Sequence, residues 1–174
     1  MYDLAFKIII FGDESYGKTI LVNRYLTKVF DEDLKKTLAS DFYFKDLTVN
    51  GKNTILRFWV LSGEQRFRTI VPSFIKGADG GLFVYDITDS STLSHLDDWL
   101  SVIRKGMKIK QIKFPILAMG FLPDERDERK IRTEEGIEVA KSRNLKGFIE
   151  CSPETGEKVE KAFEALTRLM LDIE

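Results

Sequence analysis

Cysteine and histidine are almost missing from this chain, which has one of each among 174 residues. The single cysteine, Cys151, cannot form an internal disulfide, which suits a reducing compartment, and we predict that it packs as a small apolar residue. His95 stands alone on a predicted helix, so we predict a surface or cap residue without a partner and without chemistry. Apolar residues make up 43% of the chain, enough to bury a core without disulfides or metals.

An excess of charge of either sign is also missing. The 27 basic and 28 acidic residues leave a net charge of −1, which argues against nucleic acid or an anionic membrane as a bulk partner. No apolar run approaches the length of a membrane span, and the first residues lack the basic and apolar regions of a signal peptide. The last four residues contain no cysteine for a lipid. We therefore expect a cytoplasmic monomer that meets membranes only through partners.

Predicted strands and helices alternate along the chain without a repeat or a linker. This order predicts one α/β domain over residues 1–174, with a mostly parallel six-stranded sheet, one antiparallel edge strand and helices on both faces. Asn50 and Gly51 predict a hairpin turn between two strands. One helix is expected over Ser91–Met107 and another at the C-terminus. The predicted strands are Phe6–Phe11, Asp41–Val49, Thr54–Leu61, Gly80–Asp86, Phe114–Gly120 and Gly147–Glu150.

The segment Gly12–Thr19 has the pattern G-x-x-x-x-G-K-[ST] and lies between a predicted strand and a predicted helix. In that setting the pattern is typical of a P-loop, whose main-chain N–H groups form an anion nest at a helix N-terminus. Gly17 allows a phosphate to come close, Lys18 supplies a point charge, and Thr19 offers a hydroxyl to Mg²⁺. The alternative is a chance match on an ordinary turn. The intervening loop residues, whose main chain completes the predicted site, are Asp13, Glu14, Ser15 and Tyr16.

Further motifs follow the P-loop along the chain, at Thr37–Phe42, Trp59–Arg68, Phe83–Thr88 and Glu150–Gly156. With the P-loop they resemble a Ras-superfamily small GTPase, closest to the Rab branch, over nearly the whole length. The resemblance implies a P-loop NTPase fold, binding of GTP or GDP with Mg²⁺, and a nucleotide-dependent switch that recruits protein effectors.

The resemblance also implies roles for individual residues around the nucleotide. Thr37 is the expected switch I threonine and, with Thr19, a magnesium ligand. Phe30 matches the aromatic residue that packs on the guanine base. Gly63 matches the switch II glycine whose N–H senses the γ-phosphate.

Three aromatic residues match the triad that effectors of Rab proteins contact. They are Phe42, Trp59 and Phe74. The alternative for Phe42 and Trp59 is that they belong to the core of the strands.

Switch II departs from the family pattern at two positions. Val60 replaces the aspartate that orients a magnesium-bound water, which removes a carboxylate from the outer coordination sphere. Glu64 replaces the glutamine that positions the attacking water, and its negative charge faces a charged transition state. Gln65 restores the amide only if the register shifts by one residue, which Gly63 argues against. We therefore predict that Glu64 is a degenerate catalytic residue, with Lys18 as the remaining catalytic group.

The P-loop carries a third change. Glu14 stands where the family keeps a very small residue, so its carboxylate crowds the catalytic water and repels the γ-phosphate unless it turns into solvent. Like charges about 5 Å apart cost roughly 3 kcal/mol at an effective dielectric constant near 20.

The base-recognition elements are altered as well. Asp124 is retained as the acceptor for the guanine N–H groups, and Leu122 is expected to form a wall beside the base plane. Phe121 cannot make the hydrogen bonds of the family's asparagine. Ser152 matches the last motif, but Pro153 lacks a backbone donor. Guanine selectivity is therefore expected to be weak.

These observations leave two main hypotheses. The first is a Rab-like GTP-binding switch with impaired hydrolysis. The second is a pseudo-GTPase, an interaction module that binds nucleotide weakly or not at all. A P-loop kinase is a weaker third hypothesis, because the sequence shows no second catalytic motif.

Overall fold

The structure is a computed structural model that describes residues 1–13, 17–34, 40–123 and 128–172. Six strands in these ranges form one sheet in the order β2-β3-β1-β4-β5-β6. All neighbouring pairs are parallel except β2 with β3, so β2 is the predicted antiparallel edge strand. The strands are β1 (Leu4–Phe11), β2 (Ser40–Val49), β3 (Lys52–Leu61), β4 (Gly80–Asp86), β5 (Ile116–Phe121) and β6 (Gly147–Cys151).

The turn between β2 and β3 has the predicted geometry. Val49 pairs with Lys52, so the loop contains only Asn50 and Gly51. Both of these residues have positive φ, +51° and +78°, as a two-residue hairpin turn of the primed type requires. The local sequence therefore sets the register of the edge strand, and the prediction is confirmed.

Helices surround the sheet. The described helices are α1 (Gly17–Thr27), α2 (Val71–Ile75), α3 (Ser90–Ser94), α4 (Leu96–Met107), α5 (Thr133–Ser142) and α6 (Val159–Leu171), with a 3-10 turn at Gln65–Phe67. None of them is both long enough and apolar enough to cross a membrane within the described ranges.

The prediction of one helix from Ser91 to Met107 is wrong in one respect. The chain forms two helices there, α3 and α4, which meet at His95. The carboxylate of Asp89 accepts a hydrogen bond from the backbone N–H of Ser91 and caps α3. His95 leaves helical geometry, with φ −83° and ψ 7°, before α4 begins. The first turn of α4 lies beside the P-loop, where His95 and Trp99 contact Asp13.

Two apolar clusters form the core. One includes Ile8 and Ile10 of β1 and packs against α1 and α6. The other includes Ile9 and Phe11 and packs against α2 and α4. Because side chains alternate along a strand, β1 contributes to both clusters and is buried from Ile8 to Phe11. The P-loop therefore starts at the end of a strand that is fixed on both sides.

Candidate nucleotide-binding site

Gly12 begins the P-loop directly after β1, and the structure explains why glycine is required. Its φ is +142°, and a Cβ added to it would lie 2.1 Å from the carbonyl oxygen of Val84. Any side chain would therefore collide with β4. This contact holds the start of the loop against the C-terminal end of the sheet, where ligands bind in folds of this kind.

Lys18 lies in the first turn of α1 and is 2% exposed. Its ammonium Nζ donates to the carbonyl oxygens of Gly12 and Asp13, at 3.0 and 2.5 Å. Thr19, the next residue, is also buried. The positive charge of Lys18 thus adds to the positive end of the α1 dipole at the place where the motif predicts phosphate.

Several predicted site residues lie outside the described ranges. They are Glu14, Ser15 and Tyr16 of the P-loop, Thr37 of switch I and Asp124 of the base-recognition motif. Their roles remain predictions. Phe30, the expected partner of the base, is half-buried in the segment after α1.

The carboxylate of Asp13 is bound by side chains of switch II and α4. Trp99 Nε1 donates to Oδ1 at 3.0 Å, and His95 Nδ1 lies 2.5 Å from Oδ2. The guanidinium of Arg68 stacks on the Trp99 ring at 3.9 Å and approaches Oδ1 at 3.8 Å. Asp13 therefore links the P-loop to α4. The prediction that His95 has no partner is wrong, since this carboxylate is its partner.

Sequence reasoning missed this cluster, although one signal was available. His95 and Trp99 are four residues apart, a spacing that puts two side chains on the same side of a helix. Their distance from Asp13 along the chain exceeds 80 residues, so no local pattern connects them. Only the packing of α4 beside the P-loop brings the three together.

Phe121 contacts the P-loop through its ring. A Cβ added to Gly17 would lie 3.0 Å from Cδ2 of Phe121, so the ring lies against the main chain of this glycine. The Phe121 side chain thus gives the P-loop an apolar contact and offers it no hydrogen-bond donor or acceptor. Phe121 ends β5, which fixes its position next to the start of α1.

Switch II begins at the end of β3 with buried apolar side chains. Val60 is fully buried in the core cluster that packs against α1 and α6. Gly63 follows and lines a polar cavity of about 670 Å³ beside the P-loop, together with Asp13 and Arg68. This cavity lies between switch II and the residues around α3 and α4. The sensing of a γ-phosphate by Gly63 stays a prediction, and the side chain at position 60 offers no oxygen to a metal.

The carboxylate of Glu64 is held by its own segment. Arg66 Nε donates to Oε2 of Glu64 at 2.6 Å, and the backbone N–H of Glu64 donates to the hydroxyl of Ser62 at 3.2 Å. The Glu64 side chain is only 20% exposed. Its negative charge is thus partly compensated by a neighbouring cation.

The base-side loops are joined at the ends of β5 and β6. The backbone N–H of Leu122 donates to the carbonyl of Cys151 at 2.9 Å, and the Leu122 side chain is 8% exposed within the apolar core. The hydroxyl of Ser152 accepts from the backbone N–H of Thr155 at 3.4 Å. Pro153 is buried beside them. Leu122, Ser152 and Pro153 therefore lie together at one end of the sheet. Their contacts with a base stay a prediction.

An ion pair anchors the chain after the base-recognition motif. The guanidinium of Arg129 binds both carboxylate oxygens of Glu150 in β6, at 2.8 and 2.9 Å, and Thr133 donates to the same group. Burial acts to raise the pKa of Glu150, but the hydrogen bonds and charge of Arg129 outweigh it and hold that pKa below its ordinary value. Burial raises the pKa of the Cys151 thiol to about 12.

The three aromatic residues of the predicted triad form one continuous surface. The ring of Trp59 lies 5.2 Å from that of Phe42 and 5.7 Å from that of Phe74. Phe42 and Trp59 are paired across β2 and β3. Phe42 is 48% exposed, and the other two rings are half-buried. Phe42 and Trp59 are therefore not plain strand core, and the three rings present an accessible apolar patch.

The donor groups of the site fit the phosphates of a nucleotide better than they fit a metal ion. The glycine cradle, the start of α1 and Lys18 supply positive potential and room for an anion. If Mg²⁺ is bound with the nucleotide, Thr19 would supply one hydroxyl and Val60 would supply no oxygen. Within the described residues no group of three or more histidine, cysteine, aspartate or glutamate side chains is arranged to hold a metal.

This architecture, a mixed sheet with a glycine loop leading into α1, defines a P-loop GTPase of the Ras type. A family model described as the Ras family matches residues 7–172. The chain belongs to the Ras family of small GTPases and is Rab-like. Members of this family bind GTP or GDP with Mg²⁺.

Three relatives illustrate the similarity. The chain is 37% identical to the Ras-related protein RABC2a of Arabidopsis thaliana over 174 residues, which cover 99% of this chain and 80% of that protein. It is 31% identical to the Ras-related protein Rab-13 of Canis lupus familiaris over 170 residues, 98% of this chain and 82% of the relative. It is 32% identical to the Ras-related protein Rab-18-B of Danio rerio over 165 residues, 95% of this chain and 78% of the relative.

Proposed function

We propose that this chain is a Rab-like switch that holds a guanine nucleotide mainly by its phosphates and hydrolyses GTP slowly. The observation that carries the proposal is the phosphate cradle, in which Gly12 has the required conformation and the buried Lys18 lies in the first turn of α1. These described residues support a phosphate site, whereas Val60, Glu64 and Phe121 depart from the family pattern. We therefore infer that phosphate binding is kept and that the water-orienting and base-reading parts have changed.

Slow hydrolysis follows from the chemistry of switch II. Val60 is buried among apolar residues and cannot orient a water molecule on Mg²⁺. Glu64 can accept a hydrogen bond from the attacking water but cannot donate one, and it adds negative charge near the γ-phosphate. Its ion pair with Arg66 reduces that charge and holds the carboxylate within switch II.

Weak base selectivity follows from the contacts of Phe121. Its ring lies against Gly17, where it stabilises the P-loop but offers no donor or acceptor to a purine. Pro153 has no backbone N–H to donate. The remaining recognition of guanine is assigned to the carboxylate of Asp124. We therefore propose that the protein binds GTP more tightly than ATP, but by a smaller ratio of affinities than a full set of base contacts would give.

The direct test is chromatography of the nucleotide released when purified protein is denatured, followed by calorimetric titration with GTP, GDP and ATP in magnesium. We expect bound GDP or GTP, and GTP that stays intact during long incubation. Empty protein that binds neither GTP nor GDP would overturn the proposal. Rapid intrinsic turnover would overturn the hydrolysis part alone.

Matched variants separate the causes of slow turnover. The double variant Val60→Asp with Glu14→Gly is expected to raise the rate of single-turnover hydrolysis at least about tenfold. The first change restores the switch II carboxylate, and the second removes the P-loop carboxylate that is predicted to crowd the catalytic water. Val60→Asn with the same Glu14 change is the control, since asparagine has the same size without the charge. Equal rates for the two double variants would contradict our account of the defect.

Phe121→Asn tests the base-reading part. We expect this variant to increase the ratio of the ATP dissociation constant to the GTP dissociation constant by about tenfold, which is the effect of one well-placed hydrogen bond to the base. The affinity for inorganic pyrophosphate should change less. Phe121→Leu is the control, because it keeps an apolar contact with Gly17 and adds no polar group. An unchanged ratio in the asparagine variant would contradict the assignment.

A second candidate function is an interaction module that does not use nucleotide. The exposed aromatic surface of Phe42, Trp59 and Phe74 favours it, since such a patch on a soluble domain is typical of a protein-binding site and needs no nucleotide to form. The two functions differ in one observation. Protein that is folded and empty, and whose thermal unfolding does not shift with GDP and Mg²⁺, supports the second function.

A further inference from the structure

A second cavity lies at the end of the sheet opposite to the P-loop. It has a volume of about 640 Å³, within the range of small-molecule sites. Phe6, near the start of β1, contributes to it, and the six steps along the chain from Phe6 to Gly12 span about 20 Å. The cavity is therefore separate from the nucleotide site. Its lining residues are Phe6, Ala78, Met107, Ile109, Phe114 and Met170, with Asp79, Lys110, Gln111 and Lys113 at the rim.

The walls of the cavity are apolar and come from both core clusters. Phe6 and Met170 belong to the cluster beneath α1 and α6, whereas Met107 and Phe114 pack against the cluster beneath α2 and α4. The methionine side chains are unbranched and adapt to the shape of an apolar ligand. A chain of methylene groups is a suitable occupant for such a space.

The rim carries positive charge. The segment between residues 104 and 113 has five lysine or arginine residues and no acidic residue, in a protein whose net charge is −1. Lys110 and Lys113 are exposed, and neither makes an ion pair with the part of the chain that the structure describes. Asp79 is the one carboxylate in the lining, and its Oδ2 accepts from the backbone N–H of Lys7 at 2.7 Å.

We propose that this cavity binds a fatty acid, with the alkyl chain between Phe6, Met107 and Met170 and the carboxylate at Lys110 and Lys113. The apolar walls select the chain, and the two ammonium groups select an anionic head. The site is independent of the proposed nucleotide function, because it shares no lining residue with the P-loop or the switches.

The test is calorimetric titration of the whole chain with saturated fatty acids of increasing length, below the concentration at which they form micelles. We expect the dissociation constant to fall about fourfold for each added methylene until the cavity is full. The alcohol of the same length should bind about fivefold more weakly, since it lacks the charge. Dissociation constants that do not depend on chain length, or no binding, would overturn the proposal.

Variants at the rim separate the head from the chain. Lys110→Gln with Lys113→Gln is expected to remove the preference for the acid over the alcohol and to keep the dependence on chain length. Lys141→Gln with Lys146→Gln is the matched control, because these exposed lysines lie outside the cavity and change the net charge equally. If the control removes the preference as well, the head group is not bound at the rim.

Two further results probe the cavity itself. Ile109→Glu places a negative charge in the lining and should weaken binding of the acid at least tenfold, whereas Ile109→Gln should weaken it much less. Equal affinities for these two variants would overturn the proposal.

Vesicles of anionic phospholipid provide the last comparison. Binding to vesicles without binding to monomeric fatty acid would also overturn it and would assign the basic rim to surface electrostatics.

Discussion

Asp13 offers the sharpest test of how the P-loop is held in place. Its side chain is 17% exposed and accepts from the indole of Trp99, which is fully buried. Asp13→Ala removes the acceptor and leaves a buried indole N–H without a partner, which costs about 1 to 3 kcal/mol. Loss of the contact with the more exposed His95 adds about 0.5 to 1 kcal/mol. We therefore expect the free energy of unfolding to fall by about 1.5 to 4 kcal/mol.

The assay is urea unfolding followed by tryptophan fluorescence, with and without GDP and Mg²⁺, since a bound ligand adds to the apparent stability. A loss of about 1.5 to 4 kcal/mol corresponds to a melting temperature lower by about 3 to 16 °C for a chain of this size. Asp13→Asn keeps an acceptor oxygen and should cost about half as much.

A control and a double-mutant cycle identify the interaction. Asp98→Ala removes an exposed carboxylate that, like Asp13, lines the polar cavity of about 670 Å³. It should lower the free energy of unfolding by less than about 1 kcal/mol. The cycle of Asp13→Ala with Trp99→Phe should give a coupling energy above about 1 kcal/mol. A change below about 0.5 kcal/mol for Asp13→Ala, or a coupling energy near zero, would refute the reasoning.

Three further outcomes follow from buried groups near the base-side loops. The hydroxyl of Tyr85 is buried without a hydrogen-bond partner among the described residues, so Tyr85→Phe should raise the free energy of urea unfolding by about 1 kcal/mol, and a clear loss would contradict this. The pKa of Glu150 lies below its ordinary value of 4.5, so its pairing with Arg129 stabilises the fold above that pH and less as the pH falls through the folded-state pKa. The stability difference between wild type and Glu150→Gln should therefore shrink between about pH 7 and about pH 3.5, and a constant difference would argue against an ionic contribution. Cys151 is buried and its pKa is raised to about 12, so a thiol reagent should label it only at the rate of unfolding; fast labelling of native protein would show that the thiol is accessible.

Local patterns predicted most of the secondary structure, because short-range chemistry determines it. Asn50 and Gly51 allow the positive φ angles of a tight hairpin, and that turn formed as expected. The break at His95 was not predicted, since the apolar spacing continues through it from α3 into α4. The break lies in the backbone angles of His95, and these do not change the hydrophobic pattern.

The site was predicted in part. The P-loop motif located Gly12 and Lys18, because a phosphate cradle needs these residue types at this spacing. The motif could not show that the carboxylate of Asp13 would bind to α4. It also could not show that the Phe121 ring would lie against Gly17. Both contacts join elements that are distant in the chain.

The sequence by itself determined the fold class and the place of the phosphate loop, because glycine positions, charge at the loop and alternation of apolar residues are local properties. It also predicts which positions depart from the family pattern, such as Val60. Only the tertiary structure decided what those positions contact: Asp13 with Trp99, Arg66 with Glu64, and the three aromatic rings with one another. The physical reason is that these contacts depend on the sheet order and on helix packing, which place side chains together from residues that no local pattern connects.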